Sequence, residues 1–110
     1  MKKQKKQRLE QAGWVVGNAR DFLGLSDEER RFVETKLALA AGVRRRRERQ
    51  RVTQAELARR LGSSQSRVAK IEAADSSVSL DLIVRSLFGL GATTEDVARL
   101  IRQAQRSTAA

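Results

Sequence analysis

The chain has 110 residues, 40% hydrophobic and 33% charged, with 23 Lys+Arg against 13 Asp+Glu for a net charge of +10. This is the size of one domain with a small core, and its charge predicts a polyanionic partner, nucleic acid ahead of an anionic membrane surface. Cysteine and histidine are absent, which excludes disulfides, Cys/His metal sites, thiol nucleophiles and any triad built on a histidine base.

No proline occurs, so nothing forbids helix throughout, and strand-forming residues are few. Residues 1–20 carry six basic side chains and one acid, for +5. The first twelve have no apolar period and read as a mobile arm. Only Trp14-Val15-Val16 follows as an apolar block, too short for a secretion signal. No run approaches the roughly 18 apolar residues of a membrane span, so the protein is expected to be cytoplasmic. The Trp14-Val15-Val16 block is expected to pack on the helical domain, a partner-binding patch being the alternative. Asn18 and Gly24 bracket a short helix over about 19–23.

Residues 21–43 sum to −2. Ser26-Asp27-Glu28-Glu29 is a capping box whose acids suit the positive end of a helix. That helix is predicted over about 27–50, with Phe32, Val33, Leu37, Ala40 and Val43 on one apolar face. Gly42 lies in its middle and costs about 1 kcal/mol against alanine, so a break there is allowed. Residues 44–72 hold ten basic and three acidic side chains, for +7, and residues 73–110 balance to zero. The charge is thus concentrated in the arm and in one internal block.

Thr53-Gln54-Ala55-Glu56 is a second capping box, opening a short helix that stops at Gly62. Ser63 or Ser64 caps the next, over about 65–73. Val78 and Ile83 flank a Ser79 cap as a hydrophobic staple, opening a helix over 80–90 that the Gly89/Gly91 pair ends. Its apolar residues form a core stripe, and Leu82, off that stripe, reads equally as a packing or a dimer contact. Thr93 or Thr94 caps a last helix to about 105, with Val97, Leu100, Ile101 and Ala104 on one side. The domain plan is 1–25 for the arm and short helix, 26–106 for the helical domain and 107–110 for a frayed tail.

Two short capped helices flanking a glycine turn, over 53–72, have the spacing of a DNA-binding helix-turn-helix. Val68 and Ile71 face inward, toward Leu57, Ala58 and Leu61, and Ala58 is small, as a close crossing requires. The opposite face of the second helix carries Gln65, Ser66, Ala69 and Lys70. Gln65, Ser66 and Lys70 are the candidate base contacts, because glutamine pairs bidentately with adenine, serine meets several base edges and lysine reaches guanine. Arg67 at the flank and Ser64 at the cap are assigned to phosphate, as are Arg44 and Arg51 of the arginine run. The same run also reads as a solvated helix end, where cations are favoured.

T-Q-A-E-L-A, the glycine turn, S-x-S-x-V and the closing I-E together resemble the Xre family, the Cro/cI-like helix-turn-helix, over about 43–91. The resemblance implies an all-α, five-helix fold, a homodimer on near-palindromic double-stranded DNA, and a prokaryotic host. It assigns Gln54 a phosphate contact and support of Gln65. It also makes Arg47 and Glu72 a structural pair. Arg51 stands where the family often has glycine and Arg46 where many members are apolar, so the turn and that stretch of helix are expected to differ. The flanking G-W-V-V-G-N-A-R-D-F-L-G-L-S-D-E-E and V-S-L-D-L-I-V-R-S-L-F-G-L-G-A are similar to Xre-type antitoxins of the HigA kind, which implies autorepression and a ribosome-dependent RNase toxin as partner.

The function expected is therefore a transcriptional repressor of its own operon. A stand-alone regulator without a toxin and a nonspecific nucleic-acid binder are the alternatives. The lysine arm reads as a minor-groove or phosphate reader, or as a plain charge tail. The carboxylates sit mainly at helix starts, where capping explains them. No enzymatic activity, cofactor or metal is expected.

Overall fold

The computed structural model describes residues 24–109, and among them the chain forms five α-helices and no strand. These are α1 (Asp27–Arg49), α2 (Gln54–Leu61), α3 (Gln65–Glu72), α4 (Leu80–Gly89) and α5 (Thr94–Ala109). The last extends past the end near 105 that its apolar stripe suggested. The lysine arm, the 19–23 helix and the Trp14-Val15-Val16 block lie outside the described residues.

Each helix starts where a hydroxyl can satisfy free backbone N–H groups. Ser26 and Glu29 form the full reciprocal capping box of α1. Thr53, Ser64 and Ser79 each accept from a backbone N–H three residues on, at the starts of α2, α3 and α4. At Thr53 only this half of the box forms, because the Glu56 carboxylate turns to Arg59 and Arg60. Thr93 and Asp96 cap α5 reciprocally, at 2.9 and 3.1 Å.

Four helices end in one geometry. A residue at positive φ follows the helix, its N–H and the next reaching back to carbonyls near the end, which is the Schellman pattern. Gly62 (φ 64) and Gly91 (φ 85) serve α2 and α4, whereas Arg51 (φ 58) and Ala74 (φ 54) serve α1 and α3. Val52 N–H bonds the Arg47 carbonyl at 3.1 Å, and Arg51 N–H that of Glu48 at 3.0 Å. The turn at Arg51 therefore keeps the left-handed backbone that glycine favours, against the expectation that the arginine would alter it. The two backbone bonds hold a side chain in a conformation that costs about 1–2 kcal/mol.

The core runs through α1 to α4, with Leu39, Val43, Leu57, Val68, Ile71, Ile83 and Leu87 at most 1% exposed. The staple residues Val78 and Ile83 are both buried, and Leu82 packs on the core as a half-buried residue. Phe32 corrects the expected apolar face, being 48% exposed. Val33 beside it is buried, at 4% exposed, so at this level of α1 the covered side is that of Val33 and Lys36, and Phe32 lies outside it. Lys36 is buried instead, donating to the Asp75 carbonyl at 3.0 Å. Burial lowers its pKa, with the Asp75 carboxylate pulling the other way.

α1 does not break at Gly42. A Cβ there would lie 2.6 Å from Leu100 Cδ1, so the missing side chain is the space into which α5 packs. Gln50 closes the far end of the bundle by donating to the Leu90 carbonyl at 2.6 Å.

Candidate nucleic-acid interface

α2 crosses α3 through the small Ala58, and Val68 and Ile71 bury the inner face of α3 completely. Helical phase then leaves Gln65, Ser66, Arg67, Ala69 and Lys70 exposed on the other side. The three candidate base contacts, Gln65, Ser66 and Lys70, thus share one solvent-facing surface. Ser66 is near enough to exchange a hydrogen bond with Ser64, at 3.2 Å.

The end of α3 is fixed to α1 and α2. Arg47 meets Glu72 in a two-pronged ion pair, one prong at 3.1 Å, and its remaining nitrogen donates to the Val52 carbonyl at 2.9 Å. The hydrogen bond to Glu72 raises the Arg47 pKa further, so the guanidinium stays charged. Gln54 adds its amide to the same carboxylate at 3.1 Å. Its bond therefore reaches the end of α3, not Gln65 at its start as the resemblance implied. Gln54 remains partly exposed at the first turn of α2.

Of the other phosphate candidates, Ser64 caps α3 by accepting from the Arg67 backbone N–H at 3.2 Å. Arg51 is exposed at the left-handed turn that leads into α2. Arg44 is exposed and pairs with Glu48 one turn on, at 3.1 Å, a surface pair worth little. Arg46, expected to be less buried than its apolar counterparts, is partly covered and paired with Asp96 on α5 at 3.1 Å.

Ser64, Ser66, Arg67, Lys70 and Ser77 line a shallow concavity of about 260 Å³. Two cations and the hydroxyls of Ser64 and Ser66 suit a phosphate group, whereas the Ser77 hydroxyl is already donated to Asp75. Ser77 was not among the sequence candidates. It lies in the loop behind α3, and only the Ser76-Ser77 pair after the motif could have signalled it. Asp75 organises that loop by accepting from the Ser77 hydroxyl and from its N–H at 3.0 Å, bonds that hold the Asp75 carboxyl below its ordinary pKa. Among the described residues no cluster of three or more potential metal ligands exists, and no helix is long and apolar enough to cross a membrane.

No curated protein and no solved structure matches the chain. A family described as the helix-turn-helix domain does match it, over residues 38–100, from the middle of α1 into α5. That span is more than half of the chain and contains every element that positions the exposed face of α3. The chain therefore belongs to the helix-turn-helix domain family, with an all-α DNA-binding fold of the Xre/Cro-like kind.

Proposed function

We propose that this protein is a sequence-specific transcriptional repressor that binds, as a homodimer, a near-palindromic operator in front of its own gene. The observation that carries this reading is the exposed polar face of α3, held at its end by the part-buried Arg47–Glu72 pair. Gln65, Ser66 and Lys70 read base edges in the major groove. Gln54, Ser64, Arg67, Arg44 and Arg51 hold phosphates. One eight-residue recognition helix spans only a few base pairs, so useful specificity needs two half-sites about one helical turn apart.

A toxin-neutralising role is the second reading, and the resemblance to Xre-type antitoxins supports it. α1 begins ahead of the family's matched span and carries the half-exposed Phe32 there, which leaves an apolar residue available to a protein partner. A small protein that co-purifies from the native host would favour this role, and the stand-alone regulator holds if none does.

The deciding experiment is fluorescence anisotropy on the DNA upstream of the gene, with random DNA as competitor, comparing wild type with Gln65→Ala. Wild type should prefer the upstream DNA. The variant should lose about 1–3 kcal/mol of that preference while keeping its nonspecific affinity. Equal binding of all DNA by both proteins would sink direct readout and leave a nonspecific binder.

A further inference from the structure

Two groups of cations in this molecule face different ways. α1 turns by about 100° per residue, so Arg45 and Arg49 each lie about 160° round the helix from Arg47. Arg47 points to the end of the recognition helix. Arg45 and Arg49 therefore lie on the far side of α1, where α5 packs. There, with Arg46 and Arg99, they line an open notch of about 230 Å³ floored by Gly42 and Leu100.

We propose that this notch is a second anion site, one that takes paired phosphoryl groups independently of the recognition helix. Four guanidiniums face one carboxylate, Asp96, a surplus of three positive charges. Asp96 already acts as an internal oxyanion, accepting from Arg46 at 3.1 Å and Arg99 at 3.2 Å. Arg45 and Arg49 have no ion pair among the described residues, and both are exposed. A single carboxylate ligand would leave most of the surplus unmatched. Two adjacent phosphoryl groups, at about −1.5 to −2 each when terminal, match it.

The residue types agree with this assignment. The cations in the notch are all arginine, whose planar fork binds phosphate oxygens in pairs, whereas lysine acts as a point charge. The volume falls below the roughly 300–1,000 Å³ of ordinary ligand pockets, and the walls are polar, so the notch suits a phosphate chain better than a whole apolar molecule. Gly42 keeps the floor low, since any side chain there would push into Leu100. The phosphoryl groups have two possible sources: a free polyphosphate or nucleotide tail, or the backbone of a second nucleic-acid segment.

The test is calorimetric titration of inorganic tripolyphosphate into the full chain at low ionic strength. Arg45→Ala/Arg49→Ala should weaken binding by about tenfold or more, as expected for losing two charge-assisted contacts. Arg31→Ala/Arg85→Ala removes the same charge from exposed positions elsewhere and should change it by less than about twofold. Arg67→Ala/Lys70→Ala empties the recognition notch of cations, and binding should persist in it. All six positions are exposed, so circular dichroism should be unchanged throughout. The proposal is overturned if tripolyphosphate does not saturate, if the first two double variants weaken binding equally, or if binding disappears with Arg67 and Lys70 alone. Duplex-DNA anisotropy then separates the sources. A tenfold loss of DNA affinity in Arg45→Ala/Arg49→Ala assigns the notch to backbone phosphates, and an unchanged affinity assigns it to a free phosphorylated ligand.

Discussion

At the α1–α3 junction Arg47 meets Glu72 with side chains 12% and 5% exposed. One residue earlier, at the α1–α5 junction, Arg46 meets Asp96 with side chains 22% and 23% exposed. The two arginines are neighbours in one run, and each faces a carboxylate. Helical phase sends one toward the recognition helix and the other toward the closing helix. The first pair is further satisfied by the Val52 carbonyl and the Gln54 amide, whereas the second shares its carboxylate with the exposed Arg99. Identical chemistry thus serves as a fixed strut on one side of α1 and as a solvated seam on the other. What separates the two is how little water can replace the partner once it is lost.

Removing one partner at each junction should break this symmetry most strongly. Glu72→Ala leaves the Arg47 guanidinium covered and unpaired, which should cost about 3–5 kcal/mol in urea denaturation. Arg46→Ala should cost far less, because Asp96 keeps Arg99 and water. The two junctions would be energetically alike, and the comparison wrong, if both variants shifted the midpoint by the same amount. Exchanging Arg47 and Glu72 together for apolar residues of similar volume should recover most of the loss. It should not restore specific DNA binding if the pair sets the position of α3.

The α1–α5 junction has its own strict point, and it is steric. Gly42→Ala gains about 1 kcal/mol in helix propensity but places a methyl against Leu100, where overpacking costs about 1–3 kcal/mol. The net expectation is destabilisation by about 1 kcal/mol. In a Leu100→Ala background the space opens, and Gly42→Ala should become stabilising. A thermal-melt double-mutant cycle reads that change of sign directly.

Much of this architecture was legible from residues alone, because it rests on local chemistry. The caps at Ser26, Thr53 and Ser79, the stops at Gly62 and Gly91, and the inward faces of Val68 and Ile71 all follow from spacing. What escaped depends on tertiary partners. Periodicity placed both Phe32 and Val33 on the apolar face, but the fold covers only Val33 at this level of α1. Lys36 is polar in the sequence and buried in the fold because a loop carbonyl waits for its ammonium. The resemblance, and not the arginine run itself, singled out Arg47. In the site, the face carrying Gln65, Ser66 and Lys70 was readable from helical phase. Ser77 was not, because a loop brings it there.

The helix ends give a smaller test of the same local-versus-tertiary contrast. Arg51 and Gly62 adopt nearly the same backbone, φ 58 and φ 64, and both are exposed. Arg51→Gly should stabilise the protein by about 0.5–1 kcal/mol, the relief of the left-handed strain less the added freedom of the unfolded chain. Gly62→Ala should destabilise it by about 1 kcal/mol. If Arg51 contacts phosphate, the more stable Arg51→Gly protein should also bind DNA more weakly, separating a strained but useful residue from a merely tolerated one.

The smallest effect separates the junctions by pH and salt. Asp75, in the loop behind α3 that Lys36 holds, is kept below the ordinary carboxylate pKa chiefly by the hydroxyl and N–H of Ser77. Asp96, on the α5 side, is kept low chiefly by the N–H and hydroxyl of Thr93, with Arg46 and Arg99 adding to it. Both carboxyls titrate lower in the folded chain than in the unfolded one, near pH 3.9. Their contributions are therefore complete above about pH 4 and lost as the pH falls through the folded values. Stability between neutrality and about pH 5 should be insensitive to either group. Asp75→Asn and Asp96→Asn should each flatten the acid limb of a denaturation-versus-pH curve. Salt then ranks them. Asp96 is ion-paired with Arg46 and Arg99 at 3.1 and 3.2 Å, and added chloride screens that share. At Asp75 the Ser77 bonds are short-ranged, and Lys70 and Lys36 add a smaller share that is screened as well. High salt should shrink the difference from wild type for both variants, and more for Asp96→Asn. An equal response of the two would mean that the arginines contribute no more at their seam than the lysines do at the loop.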